Sequence, residues 1–145
     1  RRMITADVHT VYKIEQRSHR KSWSKQILRD CILAEHQCEV LIHQKQIIGY
    51  VISQNILNEC HLLNLCIDKA YQKQGYGAYL LNHTLQQAQE NACDRIYLEV
   101  RESNQAAIRL YQNHGFKQIA VRENYYQDEN NSENALVFSK IFFYS

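Results

Sequence analysis

The 145-residue sequence has no proline and only four glycines, which argues against a linker-rich or disordered chain. No apolar run reaches the roughly 18 residues that a membrane helix needs, and no secretion signal is legible. The five cysteines, Cys31, Cys38, Cys60, Cys66 and Cys93, are an odd number without a C-x-x-C pair. They are expected to be small buried hydrophobes in a reducing cytoplasm. The seven histidines form no H-E-x-x-H and no cysteine-histidine set at zinc spacing, so no metal is expected. With 17 basic and 15 acidic residues and no block of like charge, nucleic acid is not an expected partner. What is present is 45% apolar residues, enough for one domain over 1–145 to bury a core without staples. Because the sequence starts on Arg1, a few natural residues are expected to precede it.

Arg1 to Ile4 has the pattern of an edge strand's tail. Asp7 is placed to cap a helix carrying Val8, Val11, Tyr12 and Glu15 through about Arg20. Ser22-Trp23-Ser24 breaks that helix, and Ser24 can cap a second whose inward stripe is Ile27, Leu28, Cys31 and Ile32. Cys38–His43 and Ile47–Ser53 flank a natural hairpin turn, Gln44-Lys45-Gln46. A second turn near Asn58 leads to His61–Asp68, completing an antiparallel meander. A helical stripe follows at Leu81, Leu85, Ala88 and Ala92. Arg95–Arg101 is then a strand reached through a helix, hence parallel to its predecessor. Ser103 or Asn104 caps a short helix to His114, with Gly115 as its left-handed exit and Phe116 as its staple. Lys117–Val121 and Ala135–Phe143 are closing strands, joined by a polar 13-residue connection that contains Asn124-Tyr125-Tyr126. The implied fold class is α/β (α+β), a mixed, mainly antiparallel sheet with helices on both faces.

Two stretches carry chemistry. Tyr71-Gln72-Lys73-Gln74-Gly75-Tyr76-Gly77-Ala78 lies between a strand and a helix start. Its glycines permit a tight turn and close approach to bare backbone, and the amides of Gln74, Gly75, Gly77 and Ala78 sit at the helix's positive end. A pyrophosphate would fit there; an ordinary two-glycine turn is the alternative. The spacing is neither G-x-x-x-x-G-K-S/T nor G-x-G-x-x-G, so nucleoside triphosphates and dinucleotides are not supported. In the second stretch, alternation puts Ile96, Leu98 and Val100 on one strand face and Tyr97, Glu99 and Arg101 on the other. Glu99 is thus a carboxylate amid apolar residues, serving either as a base or as an ion-pair partner of Arg101 or another cation. Asn104 and Tyr111 are seven residues apart, which places them on one helix face if both are helical. Asn104 can be a cap as well as a ligand, and Tyr111 can be a core tyrosine.

Gln72, Gly75 and Gly77 match Q/R-x-x-G-x-G/A, the coenzyme A signature of the GCN5-related N-acetyltransferases. With Ile14-Glu15-Gln16-Arg17, Trp23-Ser24, Leu98-Glu99-Val100-Arg101, Asn104 to Phe116 and Arg122 to Tyr126, the sequence resembles the RimI-type ribosomal-protein-alanine N-acetyltransferases of that superfamily. The resemblance runs from about Ile14 to Tyr126; it departs at Ser22, where such proteins usually carry proline, so a looser loop is expected. It implies a twisted sheet of six to seven strands with about four helices, strands four and five splayed around the coenzyme. It implies acetyl-coenzyme A as co-substrate and the N-terminal alanine of a small-subunit ribosomal protein as acceptor. By resemblance, Leu65, Cys66 and Ile67 pair with the pantetheine arm, Lys73, Gln74, Gly75, Tyr76, Gly77 and Ala78 cradle the pyrophosphate, and Asn104 binds further down. Glu99 would be the general base and Tyr111 the general acid. Trp23, Tyr125 and Tyr126 are expected to grip the peptide or to form a satellite hydrophobic cluster, and Glu15 to attract a basic peptide or to be a solvated charge. Cys66 near the thioester is a small filler, since no paired histidine makes it a nucleophile. Acetylation of a small amine and a non-catalytic coenzyme-binding module are the competing functions.

Overall fold

Gln44 and Lys45 both adopt left-handed backbone, with φ of 49° and 65°. Such a pair matches the twist of two flanking strands, and it folds β1 (Gln37–His43) onto β2 (Gln46–Ile56) in antiparallel register. The computed structural model describes residues 1–19, 22–127 and 131–144. After β2, Leu57 (φ 55°) turns the chain into β3 (Glu59–Ile67). The remaining elements are α1 (Val8–Ser18), α2 (Lys25–Leu33), α3 (Tyr76–Glu90), β4 (Arg95–Arg101), α4 (Gln105–Asn113), β5 (Lys117–Gln127) and β6 (Ser132–Ile141), with short 3-10 turns at Thr5–Asp7 and Lys69–Tyr71. The six strands run in the order β1-β2-β3-β4-β6-β5. The expected mixed, mainly antiparallel sheet with four helices is present. Two compact units make up the chain, Arg1–Gln54 with Leu63–Gln86, and Asn55–Leu62 with Gln87–Ser145.

In the first unit, Val8, Val11 and Ile14 of α1 and Leu28 and Cys31 of α2 bury against Cys38, Val40, Tyr50, Ile52 and Cys66. Several local expectations change here. Arg1 to Ile4 contributes an isolated bridge, Arg2 to Glu39, in place of a strand. Asp7 does not cap α1: its carboxylate turns back to the Arg1 guanidinium at 2.9 Å and to the Ile4 amide at 2.8 Å. The expected helix end at Arg20 lies outside the described residues, and α1 stops at Ser18. Ser24 does cap α2, accepting from the Ile27 amide at 3.1 Å, but Ile27 itself is exposed. Gly49 is required by a close approach: a Cβ there would stand 2.8 Å from the Cys66 carbonyl oxygen. Leu80, Leu81, Thr84 and Leu85 are the buried face of α3 in this unit.

In the second unit, β3 pairs in parallel with β4 from Glu59↔Arg95 to Leu62↔Leu98, as the helical crossover predicts. Both strands continue beyond that last paired rung, β3 to Ile67 and β4 to Arg101. Ala92 is not part of the apolar stripe: α3 ends at Glu90, Ala92 takes φ 56° in the exit turn, and Cys93 takes the buried position. Helix α4 leaves through Gly115 (φ +87°), with the Phe116 amide bonded to the Tyr111 carbonyl at 3.1 Å and the Phe116 ring buried. Asn124-Tyr125-Tyr126 does not lie in a connection but inside β5, which runs to Gln127. The sequence hides this because β5 is an exposed edge strand where polar residues cost little. Its register also shifts between Arg122 and Tyr126, with Asn124 at φ 52°, which breaks the alternation.

Candidate active site

The glycine turn is built from both sides. Asp68, at the end of β3, donates its amide to the Ile48 carbonyl at 2.7 Å and holds the Arg17 guanidinium at 2.9 Å. Gln72 reaches back with its side-chain amide to the Ile67 carbonyl at 2.9 Å, which fixes the loop before the glycines. Lys73 (φ 63°) and Gly75 (φ +88°) then reverse the chain, and the first α3 bond runs from the Tyr79 amide to the Gly75 carbonyl at 3.0 Å. The amides preceding Tyr79 therefore have no acceptor within the helix, and the helix dipole adds its positive end. A Cβ at Gly75 would meet nothing within 4 Å, so its backbone is open on the side where a side chain would stand. That donor set and that bare approach suit a diphosphate. The rings of His43, Tyr71 and Tyr76 pack together beside it, Tyr76 at 5.7 Å from His43 and 6.4 Å from Tyr71.

Leu65, Cys66 and Ile67 occupy the end of β3, with Cys66 and Ile67 buried. Burial pushes the Cys66 thiol up to about 11, which leaves it protonated and agrees with a filler role. Trp23 is half buried and packs against the core of the first unit. Glu15 differs from the expectation of a solvated charge: it is 1% exposed. Its Oε1 stands 2.9 Å from His19 Nδ1 and 3.2 Å from the Trp23 amide, and its Oε2 accepts from the Tyr50 hydroxyl and, at 3.1 Å, from Asn64 Nδ2. Burial opposes ionisation, yet the bonds from His19, Tyr50 and Asn64 outweigh it and hold the carboxyl below the usual glutamate range. The helical spacing already put Glu15 on the inward stripe with Val8 and Val11; only its charge spoke against burial. Asn64, a polar residue inside the apolar run of β3, was the available signal.

The second unit holds the other carboxylate. Ile96, Leu98 and Val100 of β4 are buried, and Glu99 points to the opposite face, 28% exposed, as alternation requires. Its Oε1 lies 3.2 Å from Arg122 Nε, a partner that the sequence contained within its R-x-N-Y-Y motif but did not assign. The negative charge of nearby Glu99, with some burial, raises the Tyr125 phenol above its ordinary value. Burial, reinforced by Glu99, pushes Tyr126 up to about 12. Both phenols are thus protonated donors at neutral pH. The Arg122 guanidinium lies over Tyr125 at 5.3 Å and Arg101, paired with Glu133 at 3.3 Å, over Tyr126 at 4.2 Å, so two cations, two phenols and two carboxylates form a contiguous patch. Asn104 caps α4, accepting from the Ala107 amide at 3.2 Å, and is exposed. Asn104 is thus the N-cap and not a helical residue, so the condition for a shared face is not met; Tyr111 is buried edge-on against Phe116 at 5.6 Å. Among the described residues no group of histidine, cysteine or acidic side chains could hold a metal.

Residues 8–116 match the model of the Acetyltransferase (GNAT) family. The chain belongs to that family. This GNAT chain is 36% identical to the ribosomal protein bS18-alanine N-acetyltransferase of Haemophilus ducreyi, over 94% of its own length and 95% of that protein. It is 33% identical to the enzyme of the same name from Escherichia coli K12, over 93% and 91%. The crystal structure of the ribosomal-protein-S18-alanine N-acetyltransferase from Escherichia coli superposes with a TM-score of 0.93 at 31% identity, covering all of this chain and 94% of that one. The GNAT fold and acyltransferase class expected from the sequence are therefore established. No helix among the described residues is long and apolar enough to cross a membrane.

Proposed function

We propose that this GNAT chain transfers the acetyl group of acetyl-coenzyme A to the α-amine of an N-terminal alanine on a bS18-like small-subunit ribosomal protein, by direct attack with both substrates bound. The observation that carries the reading is Glu99: a half-buried carboxylate paired with Arg122 on a strand of an N-acetyltransferase fold, its charge felt by Tyr125. Acetyl-coenzyme A supplies an activated thioester. The bare backbone at Gly75 and the amides from Lys73 through Ala78 are assigned to its diphosphate, the main chain of Leu65, Cys66 and Ile67 to its arm, and Asn104 to a contact further along. An amide at Ile67 is assigned to the thioester oxygen, where charge develops as the bond to nitrogen forms.

A chain-terminal amine has a pKa of about 7.7 to 8.0, against about 10.4 for lysine, so a carboxylate working through water suffices to take its proton. Glu99 passes that first proton to solvent; the neutral nitrogen then attacks the thioester carbonyl, its second proton passes to the re-ionised Glu99, the carbon–sulfur bond breaks, and the thiolate accepts a hydrogen bond from Tyr111 until it takes up a proton from water on release. Full transfer from a phenol of pKa about 10 to a thiolate of about 8.5 is uphill by about 2 kcal/mol, so Tyr111 serves first as a strong donor. Trp23, Tyr125 and Tyr126 are assigned to the peptide. The five buried cysteines, none in a disulfide among the described residues, support a reducing, cytoplasmic setting.

The test is mass spectrometry of acetyl transfer to an Ala-initiated bS18 peptide, the same peptide with a blocked amine, and a panel of polyamines and aminoglycosides. Transfer to the free α-amine alone is expected. Preferential acetylation of a small amine would assign a different acceptor, and coenzyme binding without transfer to any amine would make the chain a sensor.

A further inference from the structure

The Glu15 carboxylate is surrounded by four groups, and it can accept from every one of them. The Trp23 backbone N–H is a donor by constitution, Asn64 presents its Nδ2, Tyr50 its hydroxyl, and His19 its Nδ1. An ionised carboxylate offers about four lone-pair sites and no donor, so it alone among the side chains of that length meets all four. The four partners come from different places: His19 follows α1, Trp23 precedes α2, Tyr50 is on β2, and Asn64 is on β3 directly before Leu65. The Trp23 amide is the link of interest. Ser24, the next residue, caps α2, so a bond at Trp23 fixes where the second helix begins and where the indole is presented.

We propose that Glu15 is a positioning residue for acceptor binding: its buried carboxylate clasps the Trp23 backbone and thereby sets the affinity for the peptide without touching it. This rests on the assignment of Trp23 to the peptide made above. It replaces an electrostatic role for Glu15, since a carboxylate that is 1% exposed with all of its acceptor sites engaged has none left to attract a basic substrate.

Trp23 is the single tryptophan of the chain, so intrinsic fluorescence reads this segment alone. Glu15→Ala is expected to raise acrylamide quenching of Trp23 about twofold and the KM for an Ala-initiated bS18 peptide about fivefold or more, with the acetyl-coenzyme A Kd within about twofold of the parent. Glu15→Gln keeps one acceptor oxygen for the Trp23 amide and is expected to bring quenching and peptide KM back to within about twofold of the parent, while its Tm stays lowered because Asn64 loses its acceptor. If Glu15→Ala does not fold, Glu15→Asp, which draws the carboxylate back by one carbon, carries the same expectation. A lowered Tm with unchanged quenching and unchanged peptide KM would overturn the proposal, and so would a coenzyme Kd rising in step with the peptide KM. If the parent protein acetylates no peptide, the functional assignment fails, and the quenching series still decides whether the clasp exists.

Discussion

Two glutamates, one in each unit, face opposite conditions. Glu15 is 1% exposed and every acceptor site is filled, whereas Glu99 has a 28% exposed side chain that shares its charge with Arg122, itself 56% exposed. Both began as carboxylates within an apolar pattern. The first is on a helix stripe, and protonating it would remove an acceptor from a set in which the Trp23 and Asn64 N–H groups can only donate; it is a structural anion. The second is on the solvent-reachable face of a strand, and its ion-pair partner is a largely exposed guanidinium, so water and a proton can reach it. Surroundings, not residue type, separate the proposed clasp from the proposed base.

The largest expected effect of breaking this contrast is on turnover. Glu99→Gln should reduce kcat about 100-fold at unchanged acetyl-coenzyme A affinity, the usual scale for a lost general base. Tyr111→Phe, which keeps the ring on Phe116, should cost about tenfold in kcat with coenzyme affinity again unchanged, as read by steady-state kinetics and calorimetry. Stability follows the reverse order. Glu15→Ala leaves Tyr50, Asn64 and the Trp23 amide without their acceptor and should cost about 3 kcal/mol in urea unfolding.

Acid sharpens the comparison further. The folded carboxyl of Glu15 is held below its unfolded value of about 4.3, so its contribution is complete above that pH and is lost as pH falls through the folded value. Glu15→Gln should therefore have the lower Tm at neutral pH but a smaller loss of Tm between about pH 5 and about pH 3 than the parent, by scanning calorimetry. The smallest effect belongs to Arg122→Gln. Its pair with Glu99 is largely solvated, and unfolding free energy should change by no more than about 0.5 kcal/mol.

How much was legible in the sequence follows from which signals are local. The Gln44-Lys45 turn, the Ser24 and Asn104 caps, the Gly115 exit and β4 with its alternating faces depend on neighbouring residues and were readable. So was Glu99, because an alternating strand fixes where its side chain points. The burial of Glu15 was legible only in part: its spacing put it on the stripe, but the partners that satisfy its charge, Tyr50 and Asn64, are 35 and 49 residues away. Asn124-Tyr125-Tyr126 was assigned to a loop because an exposed edge strand with a register shift has neither an apolar face nor a period of two. Asp7 failed as a cap because Arg1, six residues earlier, captured its carboxylate.

The division of labour between the two carboxylates is tested most directly by measuring acetyl transfer to an Ala-initiated bS18 peptide, at saturating peptide and coenzyme, for Glu99→Gln and Glu15→Gln side by side. Glu99→Gln should fall about 100-fold and Glu15→Gln should stay within about twofold of the parent. A Glu99→Gln enzyme that turns over at the parental rate across about pH 6 to about pH 9 would contradict the account.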